Sequence, residues 1–108
     1  MNEYEFINEL RDSFIEAFPE IADNEGNPVE GYEAPTYWED TISELADSAV
    51  PIYTQTMYEL WMALGRPEAD DEGMVEGVTD IDKLVAIGIY EYAYTALSEL
   101  AREFGLDQ

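Results

Sequence analysis

The side chains able to do chemistry in this chain are almost all carboxylates. There are 26 Asp and Glu, and no His or Cys, so the commonest general base and the commonest thiol nucleophile are both missing. A pair of carboxylates can hydrolyse a glycosidic bond, but 26 acids in 108 residues supply a pair at almost any separation. The run Asp23-Asn24-Glu25-Gly26-Asn27 starts like a calcium loop, yet its Gly stands fourth where the sixth position needs it, and Pro28 follows. Asp70-Asp71-Glu72-Gly73 lacks the required spacing as well. The expectation is a chain with no catalytic residues, no metal site and no cofactor, and not an enzyme.

What the acids do have is periodicity. At about 100° per residue, Glu5, Glu9, Asp12 and Glu16 fall on one side of a first helix, and Asp40, Glu44 and Asp47 on one side of a second. Glu20, Asp70, Asp71, Glu72 and Glu76 lie in the intervening loops. Only Arg11, Arg66, Lys83 and Arg102 oppose them, and the net charge is −22. Two carboxylates about 6 Å apart in water repel by roughly 0.7 kcal/mol before salt screens them. Any one acidic stripe could be the solvated face of an amphipathic helix. Such faces normally mix Glu with Lys one turn apart, however, and here that compensation is almost absent.

So one-sided a charge points to a basic partner. Four cations are too few for a protein that grips phosphates itself, whereas a DNA- or RNA-binding protein is a basic partner that normally meets an acidic polymer. Carboxylates one helical turn apart recur at about 5–6 Å. Phosphates along a DNA strand step at a similar distance, and the duplex carries one charge per ≈ 1.7 Å of axis. These carboxylates are therefore candidate stand-ins for phosphates.

The elements that must hold them read as helices. The fold class expected is all-α: a single domain over residues 1–108 with about four helices, a long central C-terminal helix, an acidic surface and an elongated homodimeric assembly. Helix one should run from an Asn2 cap to Phe18, closed by Pro19, with Phe6, Ile7, Leu10, Phe14 and Phe18 inward. A loop of residues 19–35, rich in Gly and Pro, shows no strand pattern. Helix two should run from Thr36 to Ala49 on Trp38, Ile42, Leu45 and Ala49. Pro51 fits the first turn of helix three, which should end at Leu64 before Gly65. Thr79 or Asp80 caps the last helix, which reaches Phe104 before Gly105. That helix is apolar on most sides, the pattern of a buried central post.

Between Pro51 and Leu64 the only charge is Glu59. Tyr53, Met57, Leu60, Trp61 and Leu64 suffice to pack inward, leaving Tyr58 and Met62 on a neighbouring face. Burial within the domain would explain them. A symmetric dimer contact through Tyr58 and Met62, with Trp61 beside them, would explain them equally, and two-fold pairing is the commonest oligomer.

The run Ala46-Asp47-Ser48-Ala49-Val50-Pro51-Ile52-Tyr53 is similar to the Ala-Asp-Asn-Ala-Val-Pro-x-Tyr segment of the Ocr-like antirestriction proteins of phages. Asp40 and Ile42 fit the same alignment, and Ile89-Tyr90-Glu91 resembles an Ile-Tyr-Glu in the long last helix of that family. The likeness covers roughly Trp38 to Leu100. It implies a helical homodimer charged like bent B-form DNA, which occupies the DNA-binding cleft of a Type I restriction–modification enzyme and protects phage DNA. It also implies that Tyr58 and Met62 belong to the dimer-forming helix. The chain departs from the family in lacking a strongly acidic tail before Gln108 and in having a longer, differently composed loop after helix one.

The expected function is thus antirestriction by DNA mimicry in the host cytoplasm, from a phage or prophage gene, with no nucleic acid bound and no membrane contact. The stretch Met1-Asn2-Glu3-Tyr4-Glu5 has neither the basic nor the apolar segment of a secretory leader. Other readings stay open: a mimic aimed at a CRISPR effector, another phage-defence complex or a nucleoid protein, or an acidic helical domain without mimicry. The last includes adaptation to high salt, against which Glu outnumbers Asp 17 to 9 and large apolar residues are plentiful.

Overall fold

Asn2 begins the first helix in the expected way, its side-chain oxygen accepting the Glu5 N–H at 2.8 Å. A computed structural model describes residues 1–69 and 77–106 of the chain. Among these, four helices are present: α1 (Glu3–Ala17), α2 (Trp38–Ser48), α3 (Thr54–Ala63) and α4 (Ile81–Glu103). No strand occurs among the described residues; the 19–35 loop carries one isolated antiparallel bridge, between Ala22 and Pro28. The all-helical class is as expected.

The core lies around α4, against which α1, α2 and α3 all pack. With 23 residues α4 spans about 35 Å, long enough to contact each of the others. The expectation that it is buried all round needs correction. Its buried side is a single seam of Val85, Gly88, Ile89, Ala93, Leu97 and Ala101, while Ile81 and Tyr94 are exposed. The three shorter helices pack along this one side, and the seam's Gly and Ala residues let them approach closely. From α1 come Phe6, Leu10 and Phe14, with Phe18 just past its end, and the Phe14 ring meets Phe18 and Phe104 at centroid distances of 5.1 and 5.4 Å. Ile7, expected inward, is 39% exposed at the edge of that face.

Three local signals set the helix ends. Asp80, not Thr79, caps α4, accepting the Asp82 N–H at 2.9 Å. Both α3 and α4 stop at a glycine with positive φ: Gly65 (φ +85°) and Gly105 (φ +78°). In each case the next residue bonds back five positions, Arg66 N–H to Trp61 O at 2.9 Å and Leu106 N–H to Ala101 O at 2.8 Å. This is the Schellman arrangement, which satisfies carbonyls the helix leaves open. Leu106 is thereby folded into the core.

Two helix starts differ from expectation. Helix α2 begins at Trp38 because Pro35 to Trp38 first close a turn, with Trp38 N–H bonded to Pro35 O at 3.1 Å. Helix α3 begins at Thr54, not Pro51. Proline disfavours helical backbone at the residue before it, which accounts for the end of α2 ahead of Val50, and beyond Pro51 the chain stays non-helical up to Tyr53, which is extended (ψ 127°) as the cap of α3. Tyr53 therefore falls outside the helix register and is 79% exposed instead of packed inward, and Ile52 beside it is 95% exposed. On α2 the inward face also turns slightly. Ile42 and Ala46 are buried, while Trp38, Leu45 and Ala49 are half-buried.

Candidate functional site: carboxylate rows and their grooves

Every described acid is exposed except Glu91, which is half-buried. Glu5, Glu9, Asp12 and Glu16 are exposed over about 16 Å of the α1 axis, whose buried residues are Phe6, Leu10 and Phe14. Asp40, Glu44 and Asp47 stand outward on α2. Glu20 occupies the turn after α1, where Ile21 N–H bonds Phe18 O at 3.2 Å and Glu20 itself takes φ +71°. Asp70, Asp71, Glu72 and Glu76 lie outside the described residues.

The grooves between helices show which acids are neighbours. Glu9 of α1 and Glu59 of α3 border a groove between α1, α2 and α3, floored by Phe6, Leu10, Leu45 and Leu60. Glu44 and Asp47 border a different groove, between α2 and α4, with Ala86, Ile87 and Tyr90. In a third, Glu68, Glu91 and Glu99 surround Gly88 and Tyr92 between α1, α4 and the chain following α3. The α1 and α2 rows thus border separate grooves, and acids follow the body around more than one side. Glu59, Glu68, Glu91 and Glu99 were not among the stand-ins expected from the sequence. Glu91 and Glu99 are two turns apart on α4, a visible spacing hidden by the assumption that this helix is buried all round.

Of the cations, Arg11 is used internally. Its guanidinium lies 3.5 Å from Glu103, donates to Gly26 O at 3.1 Å and sits 5.3 Å from the Phe104 ring centroid. It fastens the 19–35 loop to α1 and the end of α4. Arg66 and Lys83 are exposed.

The three candidate dimer residues are disposed differently from one another. Met62 is 51% exposed. Tyr58 is half-buried and donates its hydroxyl to Asp82 at 2.7 Å. That bond, then burial and the Asp82 and Asp80 charges, raises the phenol above its ordinary value of 10.0. Trp61 is half-buried, meets Tyr58 edge-on at 6.3 Å and donates its indole N–H to Pro67 O at 3.0 Å. Tyr58 and Trp61 thus spend their polar atoms within the protomer, tying α3 to the start of α4 and to the chain beyond Gly65. Tyr92 is likewise raised, chiefly by burial and then by Glu3, which both repels its anion and accepts its hydrogen bond.

No known family, curated protein or solved structure matches this chain. No described helix is long and apolar enough to cross a membrane. The geometry itself offers rows of exposed, weakly compensated carboxylates on a rigid helical frame. Such rows can attract and hold a cationic surface through many small contacts.

Proposed function

We propose that this chain is a DNA mimic, acting as a homodimer that occupies the DNA-binding cleft of a Type I restriction–modification enzyme. The observation that carries the reading is the charge of −22 on a folded helical body whose described acids, all but Glu91, are exposed. Holding that much like charge on one body works against folding, and a cationic cleft is the setting in which it becomes favourable.

Scale supports the reading. The body measures 45 × 29 × 19 Å, and its long axis equals about 13 base-pair steps at 3.4 Å each. Two copies joined through the α3 face around Tyr58 and Met62 would lengthen the negatively charged body. The similarity of Ala46–Tyr53 to the Ocr-like segment is a second, independent support, and it singles out restriction enzymes among DNA-binding targets. Binding would release the small cations gathered around these carboxylates, as binding to duplex DNA releases those held by its phosphates. Glu5, Glu9, Asp12, Glu16, Glu20, Asp40, Glu44 and Asp47 share the work, so no single one is essential. Glu68, Glu91 and Glu99 extend the negative surface beyond the two rows. Action of this kind takes place in the host cytoplasm, during entry of phage DNA.

The test is competition. Purified protein should displace a labelled duplex from a Type I restriction–modification enzyme and block cleavage in proportion to its concentration. Failure to displace the duplex at low salt would reject the reading. Displacement from a CRISPR effector or a nucleoid protein instead would keep the mimicry and change the target.

A further inference from the structure

The groove between α1, α2 and α3 has a composition that duplex DNA does not offer. It encloses about 270 Å³, just below the range of about 300–1,000 Å³ typical of small-molecule sites, which is room for one long side chain. Its floor is apolar (Phe6, Leu10, Leu45 and Leu60), and Glu9 and Glu59 stand at its border on two different helices. Pro51 also lines it, and the two residues after Pro51 are the exposed Ile52 and Tyr53. An apolar lip of this kind beside a charged border is the usual make-up of an interface anchor.

We infer that this groove receives an arginine side chain of the basic partner. The inference rests on the reading of the chain as a ligand for a basic protein, and adds where that protein is gripped by something other than charge alone. An arginine stem is apolar and lies well on an apolar floor while its head reaches a polar border. Its guanidinium is planar, weakly hydrated and able to engage two carboxylates at once, whereas the lysine ammonium is compact and strongly hydrated. A purely aliphatic side chain would strip water from Glu9 and Glu59 and return nothing. A phosphate or nucleotide would be repelled by them.

The experiment uses the full chain with two probes of equal charge, nona-arginine and nona-lysine, titrated by calorimetry. The wild type should bind nona-arginine more tightly by about five-fold or more. The double variant Glu9→Gln/Glu59→Gln should lose most of that preference. The control Asp12→Asn/Glu16→Gln removes the same charge elsewhere on α1, and should weaken both probes alike with the preference intact. Nona-arginine should also shift the methyl resonances of Leu10, Leu45 and Leu60 in the wild type, a measurement that needs no variant to fold. Equal binding of the two probes, a preference that survives Glu9→Gln/Glu59→Gln, or unmoved leucine methyls would overturn the inference. So would loss of self-association in that double variant, since the occupant would then be a second copy of the chain. None of these results depends on duplex competition, so failure here leaves the mimicry reading to its own test.

Discussion

Gly88 lies directly under the carbonyl of Pro67, so close that a β-carbon at position 88 would overlap the Pro67 oxygen. The same oxygen accepts the Trp61 indole N–H at 3.0 Å. The chain leaving α3 therefore crosses α4 at the one point in the seam without a side chain, and Trp61 pins it there.

Gly88→Ala tests this crossing. Alanine favours a helix over glycine by about 1 kcal/mol, yet here the added methyl must displace backbone, which costs about 1–3 kcal/mol. The expected result is a net loss of up to about 2 kcal/mol in urea unfolding, with a changed Trp61 emission measured in a Trp38→Phe background. A gain in stability would show that the crossing moves aside freely.

Arg11 binds three groups distant in sequence, so its removal should cost more than a surface charge does. The exposed pair with Glu103 contributes well under 1 kcal/mol. The hydrogen bond to Gly26 and the contact over Phe104 contribute about 1 kcal/mol together. Arg11→Met should lower stability by about 1–2 kcal/mol and speed amide exchange at Asn27, whose N–H rests on Asp23 within the fastened loop. Arg11→Lys should recover only part, because one ammonium cannot span the same partners. Unchanged exchange at Asn27 would remove Arg11 from this role.

Glu20 follows Pro19 in a turn with φ +71°, a conformation that costs a residue with a β-carbon about 1 kcal/mol. Glu20→Gly relieves that cost and gives part of it back as unfolded-chain entropy. A net gain of about 0.5 kcal/mol is expected by thermal unfolding, and a net loss would mean that the Glu20 side chain makes contacts worth more than the strain.

The proposed dimer contact has its own variant. Tyr58→Asp/Met62→Asp places two charges on the α3 face and should halve the mass measured by light scattering. Tyr58→Asp also removes the hydroxyl bonded to Asp82, so Met62→Asp alone serves as the variant that leaves the protomer intact. A wild-type monomer, or a mass unchanged in both variants, would reject the contact.

The four helices were legible because their signals are local. Asn2, Asp80, Gly65 and Gly105 act within one turn of chain, and Phe6, Leu10 and Phe14 repeat at helical spacing on a helix with a single buried side. The start of α3 was misplaced because a proline is compatible with the first turn of a helix without requiring one there, and the chain from Pro51 to Tyr53 stays outside the helix. That Arg11 meets Glu103, 92 positions away, and that Glu9 and Glu59 share a groove follow from helix packing, which no periodicity encodes. For the acids, the sequence carries their number and their rows but not the separate grooves those rows border.

The central claim is that exposed carboxylates displace duplex DNA from a basic cleft, and the salt dependence of inhibition measures it most directly. Titrations against a Type I restriction–modification enzyme between about 50 and 200 mM salt should show log affinity falling linearly with log salt. The slope should flatten when Glu5, Glu9, Asp12 and Glu16 are neutralised together, and the wild-type protein should remain helical in the lowest-salt buffer. Affinity independent of salt, or a wild-type chain that unfolds at low salt and displaces no duplex, would contradict the account.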